Sequence, residues 1–360
     1  MDSRLPDWDG KSQGRLVIKQ RETIVSATED SSQDNELAQT HSPRISEANQ
    51  FFDQGIEWLN AGQFEAALEP FKNALKIYRE VQNHRRVGKV LACLGLAFYS
   101  LGDFAQSIEY ASKSLAIARE IKDRRLEGKV LGILGNSYRH LGDSVKAIEQ
   151  GQQSLTIMQQ LQDRAGEVAA LNNLGLAYKT IGDLSRAIAY QQQSLSVAQM
   201  LNDLRTSEQI LKNLGNAFYE MGNYAQAMQY YEQRLAIARK LSDFRLEGQI
   251  LRNITNACFA LGDYSQAIEY CQARLAAAQK LGDHRAEEQA LGRLGVAYDA
   301  LGNYAQAIEY YEKRLRVARS IPDPRVEKQA LSSLTTACYA LGDYAKVIEY
   351  HEQGLALRDR

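Results

Sequence analysis

A strict forty-residue period constrains this chain more than any other feature. The stretch from Glu208 to Leu241 finds itself again when slid forty residues in either direction. A Leu-Gly pair recurs at Leu94-Gly95, Leu134-Gly135, Leu174-Gly175, Leu214-Gly215 and Leu294-Gly295. Seven residues later a second pair recurs, at Leu101-Gly102, Leu141-Gly142, Leu261-Gly262, Leu301-Gly302 and Leu341-Gly342. Eight copies keep register, counting a degenerate first one around Gly55 and Gly62. A period of this size means a stack of like supersecondary units, each burying its apolar face on its neighbours.

Each period reads as two helices. Ile210, Leu211, Leu214, Gly215 and Phe218 recur at helical spacing, and Met221-Gly222-Asn223 then breaks the pattern. A second apolar series runs through Tyr224, Ala227, Met228, Tyr231, Leu235, Ile237 and Ala238. Gly222 suits the left-handed conformation that ends a helix, and Asn223, Asp in most copies, suits the cap of the next. The unit is an αα-hairpin, with Gly215 and Ala227 at the expected point of closest approach.

Leu211, Leu214, Gly215, Phe218, Gly222, Tyr224 and Ala227 together resemble the tetratricopeptide repeat signature. The resemblance covers residues 46–360, with units starting near 48, 88, 128, 168, 208, 248, 288 and 328. It implies an all-α, right-handed superhelical solenoid of about eight helix-turn-helix units. The forty-residue form with RLAIAR and Leu-Gly-Asp is similar to the repeats of Pins/LGN-type adaptors and of bacterial and cyanobacterial tetratricopeptide proteins. It departs from the usual pattern in period, which is ordinarily thirty-four, and in lacking most of the proline between units.

Residues 1–45 do not repeat. Ser26 to Pro43 is too polar to bury much, so a disordered tail is expected, with Arg15 to Val25 as the one apolar stretch within it. Between units the sequence settles into Asp-x-Arg-x-Glu, as in Asp123-Arg125-Glu127 and Asp283-Arg285-Glu287. The Asp is read as a helix cap and the Glu as a first-turn acid. Pro70 lies inside the second helix of the atypical first unit. His351, Gly354 and Arg358 make the last helix more polar; it is expected either to face water or to pair with another chain, giving a monomer or a weak homo-oligomer.

Composition narrows the function. With 43 basic against 44 acidic residues the net charge is −1, which gives no general pull toward nucleic acid or acidic membrane. Four cysteines without regular spacing fit a reducing compartment, and no run of apolar residues is long enough to span a bilayer. A cytoplasmic location is the expectation. No Walker loop, His-Glu-x-x-His, Cys-x-x-Cys pair or nucleophile elbow occurs. His41, His84, His140, His284 and His351 fall at unrelated repeat positions, so no enzyme, metal or cofactor is expected. Asn253-Ile254-Thr255 matches a glycosylation triplet but lies in a helix.

The informative feature is the other face of the first helices. Residues two before the apolar positions are turned by about 200° and form a second stripe. That stripe carries Lys129 and Asn136, then Asn172 and Asn173, then Gln209, Lys212, Asn213 and Asn216. It continues with Gln249, Arg252, Asn253 and Asn256, and ends with Gln289 and Arg293. Almost no acid lies on it. In tetratricopeptide proteins first helices line the inner groove, so the resemblance implies a basic, amide-rich strip for an acidic or carboxylate-bearing peptide. Lys212, Asn216, Asn253 and Arg293 match the two-carboxylate clamp of co-chaperone repeats, while Gln289 stands where that clamp has a second Lys.

Arg234, Arg274 and Arg314 occupy one slot of the second helices, where earlier copies carry Ser114, Ser154 and Ser194. Two readings stand: groove arginines for an acidic partner, or internal pairs with acids such as Glu232 and Glu312. The function expected is a non-enzymatic scaffold or adaptor. The rivals are a ligand- or peptide-gated regulator of a signalling protein and, behind it, a nucleic-acid-binding array.

Overall fold

The computed structural model describes residues 43–357, so the tail with Arg15 to Val25, His41 and Arg358 lie outside the described residues. Among them there are sixteen α-helices and no strand. In order they are α1 (Pro43–Asn60), α2 (Phe64–Glu80), α3 (His84–Leu101), α4 (Phe104–Glu120), α5 (Arg124–His140), α6 (Ser144–Gln160), α7 (Arg164–Thr180) and α8 (Leu184–Met200). There follow α9 (Leu204–Glu220), α10 (Tyr224–Lys240), α11 (Phe244–Leu261), α12 (Tyr264–Leu281), α13 (His284–Ala300), α14 (Tyr304–Ala318), α15 (Pro324–Leu341) and α16 (Tyr344–Ala356). Odd numbers are first helices of their repeats and even numbers second helices. None of these helices is long and apolar enough to cross a membrane.

The turns explain why the helices stop where they do. Asp103, Asp123, Asp163, Asp243 and Asp283 each cap the following helix, accepting a hydrogen bond from the backbone N–H three residues on. First-turn glutamates add an ion pair back to the preceding second helix. Glu127 takes Arg119 at 3.0 Å, Glu247 takes Arg239 at 2.8 Å and Glu327 takes Arg319 at 2.9 Å. Turns inside a repeat use glycine at positive φ, as at Gly102 (83°) and Gly262 (73°). Five turns between repeats do not: Gln82, Lys122, Gln162, Asn202 and Ser242 adopt φ of 52–59° with a side chain in place. Pro70 is accommodated within an unbroken α2, where it is buried.

Two compact units share the chain, Met1–Ile210 and Leu211–Arg360, with the division falling inside α9. In the first, one core gathers Phe52, Phe71, Tyr78, Leu91, Leu94 and their neighbours, and a smaller one gathers Leu174, Tyr178 and Ala187. In the second, one core is built on Tyr231, Ile250 and Ile254 and another on Tyr311, Leu331 and Leu334.

Packing within repeats follows a size rule. A Cβ on Gly95 or Gly135 would press on the backbone of the second helix, at Ala111 N (3.3 Å) and Ala147 O (3.2 Å). Gly215 and Gly295 instead make room for the rings of Tyr231 and Tyr311, which supply the atoms nearest to a Cβ at each position. In the next repeat Thr255 replaces that glycine and Cys271 replaces the tyrosine, with Sγ 3.8 Å from Thr255 Oγ1. Cys93, Cys258, Cys271 and Cys338 are all buried free thiols. Tyrosines recur at one position of the later second helices and do two jobs. Tyr230 and Tyr310 stack on Phe218 and Tyr298 within their repeats, while Tyr270 and Tyr350 donate to Glu232 and Glu312 of the preceding repeat.

Candidate functional site

The slot that reads Ser in early repeats and Arg in later ones faces the first helix of its own repeat at Ser114, Ser154, Ser194 and Arg314, whereas Arg274 bonds Gln289 on the first helix of the next. In the first unit Ser114, Ser154 and Ser194 are buried, and their hydroxyls donate to the backbone carbonyls of Gly88 (2.8 Å), Gly128 (2.7 Å) and Val168 (2.9 Å). Each pair is separated by 26 residues in sequence. A neutral donor meets a helix carbonyl, and the contact is closed.

The stripe residues of this unit lie deep. Asn136, Asn172 and Asn173 are buried, and Lys129 is half-buried. Gln191 Nε2 donates to both the backbone and side-chain oxygens of Asn172, each at 3.1 Å. Beside Gly132 a cavity of about 30 Å³ opens between α5, α6 and α7, lined in part by Lys129, Ile133, Met158, Ala170 and Asn173. Burial, with Arg125 and Lys89 nearby, pushes the Lys129 pKa down to about 8 against the pull of Asp163 and Asp123.

Across the boundary helix α9, Gln209, Lys212 and Asn213 are half-buried, whereas Asn216 is buried and accepts from the Tyr231 hydroxyl at 2.8 Å. In the second unit the stripe emerges. Gln249, Arg252, Gln289 and Arg293 are exposed, and Asn253 and Asn256 are half-buried. The Arg293 guanidinium lies over the Phe259 ring at 4.9 Å and donates to Asn256 Oδ1 at 3.3 Å.

The arginines of the slot differ among themselves. Arg314 Nε is 2.6 Å from Glu288 Oε1 on α13, and its Nη1 donates to Ser333 at 3.3 Å. The internal-pair reading is thus right in kind for Arg314 but wrong in partner. Glu312 accepts from Lys346 and Tyr350, and Glu232 from Tyr270, because the slot points toward the first helix rather than along its own. Arg234 is buried, at 4% exposure. Arg274, only 6% exposed, donates to Gln289 Oε1 at 2.8 Å, and among the described residues no carboxylate forms an ion pair with it. Burial first, then the guanidiniums of Arg252 and Arg293, push its pKa down to about 10 against the pull of Asp283, so it stays charged at neutral pH.

The tetratricopeptide repeat profile matches residues 86–160, 126–200, 168–240 and 246–320, and a second profile of the same repeat matches 330–360. The chain belongs to the tetratricopeptide repeat family. No curated protein matches the sequence significantly. Among solved structures, a STAND signal-transduction ATPase with a tetratricopeptide repeat sensor from Pyrococcus horikoshii is similar at TM-score 0.59 and 15% identity, over 94% of this chain and 53% of that one. The tetratricopeptide chain thus spans about half the length of that ATPase. The apo form of RapI aligns at TM-score 0.54 and 16% identity, over 76% of this chain and 98% of its own. The apo quorum sensor NprR from B. thuringiensis aligns at 0.53 and 14%, over 98% and 100%. At such identities the likeness is one of fold.

Proposed function

We propose that this tetratricopeptide protein is a non-enzymatic interaction scaffold or adaptor that binds an acidic protein segment along the first helices of its second unit. The observation that carries the reading is the pair of exposed guanidiniums, Arg252 and Arg293, set on successive first helices with the buried Arg274 as a third. Arginines presented in this way suit carboxylates, which they hold by paired charge-assisted hydrogen bonds. Lys212, Asn213, Asn216, Gln249, Asn253, Asn256 and Gln289 flank them, and such amides suit the N–H and C=O groups of a peptide backbone. A second reading is a peptide-gated regulator. The archaeal relative's repeats are a sensor and NprR is a quorum sensor, so the fold serves sensing elsewhere.

The test is a titration with an acetylated, amidated tetraglutamate peptide. Saturable binding to the native protein is expected, weakened at least tenfold in Arg252→Glu/Arg293→Glu, with the melting temperature of the two proteins alike. Equal binding to both would show that the arginines are a solvated face.

A further inference from the structure

Arg274 and Arg314 occupy one slot of the repeat, yet among the described residues only Arg314 of the two forms an ion pair. Its partner Glu288 stands 26 residues earlier, on the first helix of the same repeat. The residue 26 before Arg274 is Gly248. A Cβ built on Gly248 would meet nothing within 4 Å, so a side chain could start there unobstructed, at the position from which Glu288 reaches Arg314 one repeat on. Arg274 is nonetheless as deeply set as a core residue, at 6% exposure. Its hydrogen-bond partner Gln289 is neutral, Arg252 and Arg293 add charge of the same sign, and Asp283 attracts it without forming an ion pair. A buried cation that lacks a counter-ion is costly, and an anion that enters beside it relieves desolvation and repulsion together.

We infer that Arg274 is the anchor of the second unit, taking a glutamate or aspartate carboxylate of a bound acidic segment into the space that Gly248 leaves open. The partner supplies in trans the group that Glu288 supplies to Arg314 within the chain. The inference rests on the acidic-segment reading above and assigns its central contact. A carboxylate fits better than a larger oxyanion because the internal counterpart at Arg314 is itself a glutamate side chain. Exposed Gln249 and half-buried Asn253, which follow Gly248 on α11, carry amides that suit the backbone bearing it.

Gly248→Glu tests this by giving the chain its own carboxylate. It should raise the melting temperature and weaken the tetraglutamate peptide at least tenfold. In an Arg274→Gln background the same substitution should bring no thermal gain, which separates ion pairing from general repulsion. Arg274→Gln alone should weaken the peptide comparably without lowering the melting temperature. This keeps the question answerable if Gly248→Glu misfolds. Peptide affinity within twofold of native in both variants overturns the anchor. If Arg252→Glu/Arg293→Glu still loses binding, the acidic-segment reading stands without it; if no variant changes binding, both fall. Saturable binding of inorganic phosphate at Arg274 with none of the peptide would also overturn the assignment.

Discussion

The two units solve one structural problem in opposite ways. In the first, a small hydroxyl at three successive slots bonds a helix carbonyl, and no charge enters those slots. In the second, a guanidinium fills the same slot and must find an acid, as Arg314 does in Glu288. The serine version is complete without help. The arginine version makes local order depend on a counter-charge, so a missing acid becomes an opening for a partner.

Removing that counter-charge where it exists should have the largest effect. Glu288→Ala leaves a largely enclosed Arg314 without its carboxylate, and should cost about 3 kcal/mol in urea unfolding followed by a probe in α13 or α14. Glu288→Ala/Arg314→Met should recover much of the loss. A cost below about 1 kcal/mol would mean that Arg314 reaches water and that the units differ less than their contacts imply.

The first unit has its own misfit charge in Lys129. Its pKa falls from 10.5 in the unfolded chain to about 8 in the fold, so between those values the unfolded state binds more protons. Stability should therefore rise as pH increases from about 8 to 10.5, by roughly 2 kcal/mol, and Lys129→Met should remove that rise. A flat profile in the native protein would place the ammonium in solvent.

Smaller again is the serine bond. Ser154→Ala should cost about 1 kcal/mol, since a neutral hydroxyl–carbonyl bond is lost in a buried place. Urea denaturation of the two variants side by side gives the ratio of serine to arginine dependence directly.

Most of the fold was readable because a forty-residue period repeats every cap, turn and apolar stripe, so the eight helix pairs follow from counting. The site was readable only in part. The stripe assumes one face for all repeats, but burial differs along it: Asn172 and Asn173 are enclosed, whereas Arg252 and Arg293 are not. Periodicity places a residue on a helix face and does not say how large its neighbours are. The break at Gly248 does carry a sequence signal. Twenty-six residues before the slot arginines stand Glu208, Gly248 and Glu288, and the middle one breaks the series. The left-handed junctions were hidden as well, because Gln82, Lys122 and Gln162 carry no glycine to announce them.

Those junctions supply the smallest effect and sharpen the comparison further. In the first unit all of them are closed by a non-glycine residue at positive φ: Gln82 at 57°, Lys122 at 59°, Gln162 at 54° and Asn202 at 53°. The second unit uses three solutions. Ser242 repeats the strained form at 52°, Gly282 adopts 63° without a side chain, and Pro322 stands where the ring forbids positive φ altogether. The consequence at Pro322 is visible in the helix before it. α14 ends at Ala318, and Asp323 is extended at φ −143°, so that junction unwinds instead of turning left. A side chain at positive φ is crowded against its own carbonyl by about 1 kcal/mol or more, partly offset by the freedom glycine loses on folding. Lys122→Gly and Gln162→Gly should therefore each stabilise the first unit by about 0.5 kcal/mol. Asn202→Gly should gain less, because asparagine tolerates this conformation. Gly282→Ala should reverse the sign and cost about 1 kcal/mol. Melting temperatures of the four variants decide it. If Lys122→Gly loses stability, the side chain contributes more through its contacts than its backbone angle costs.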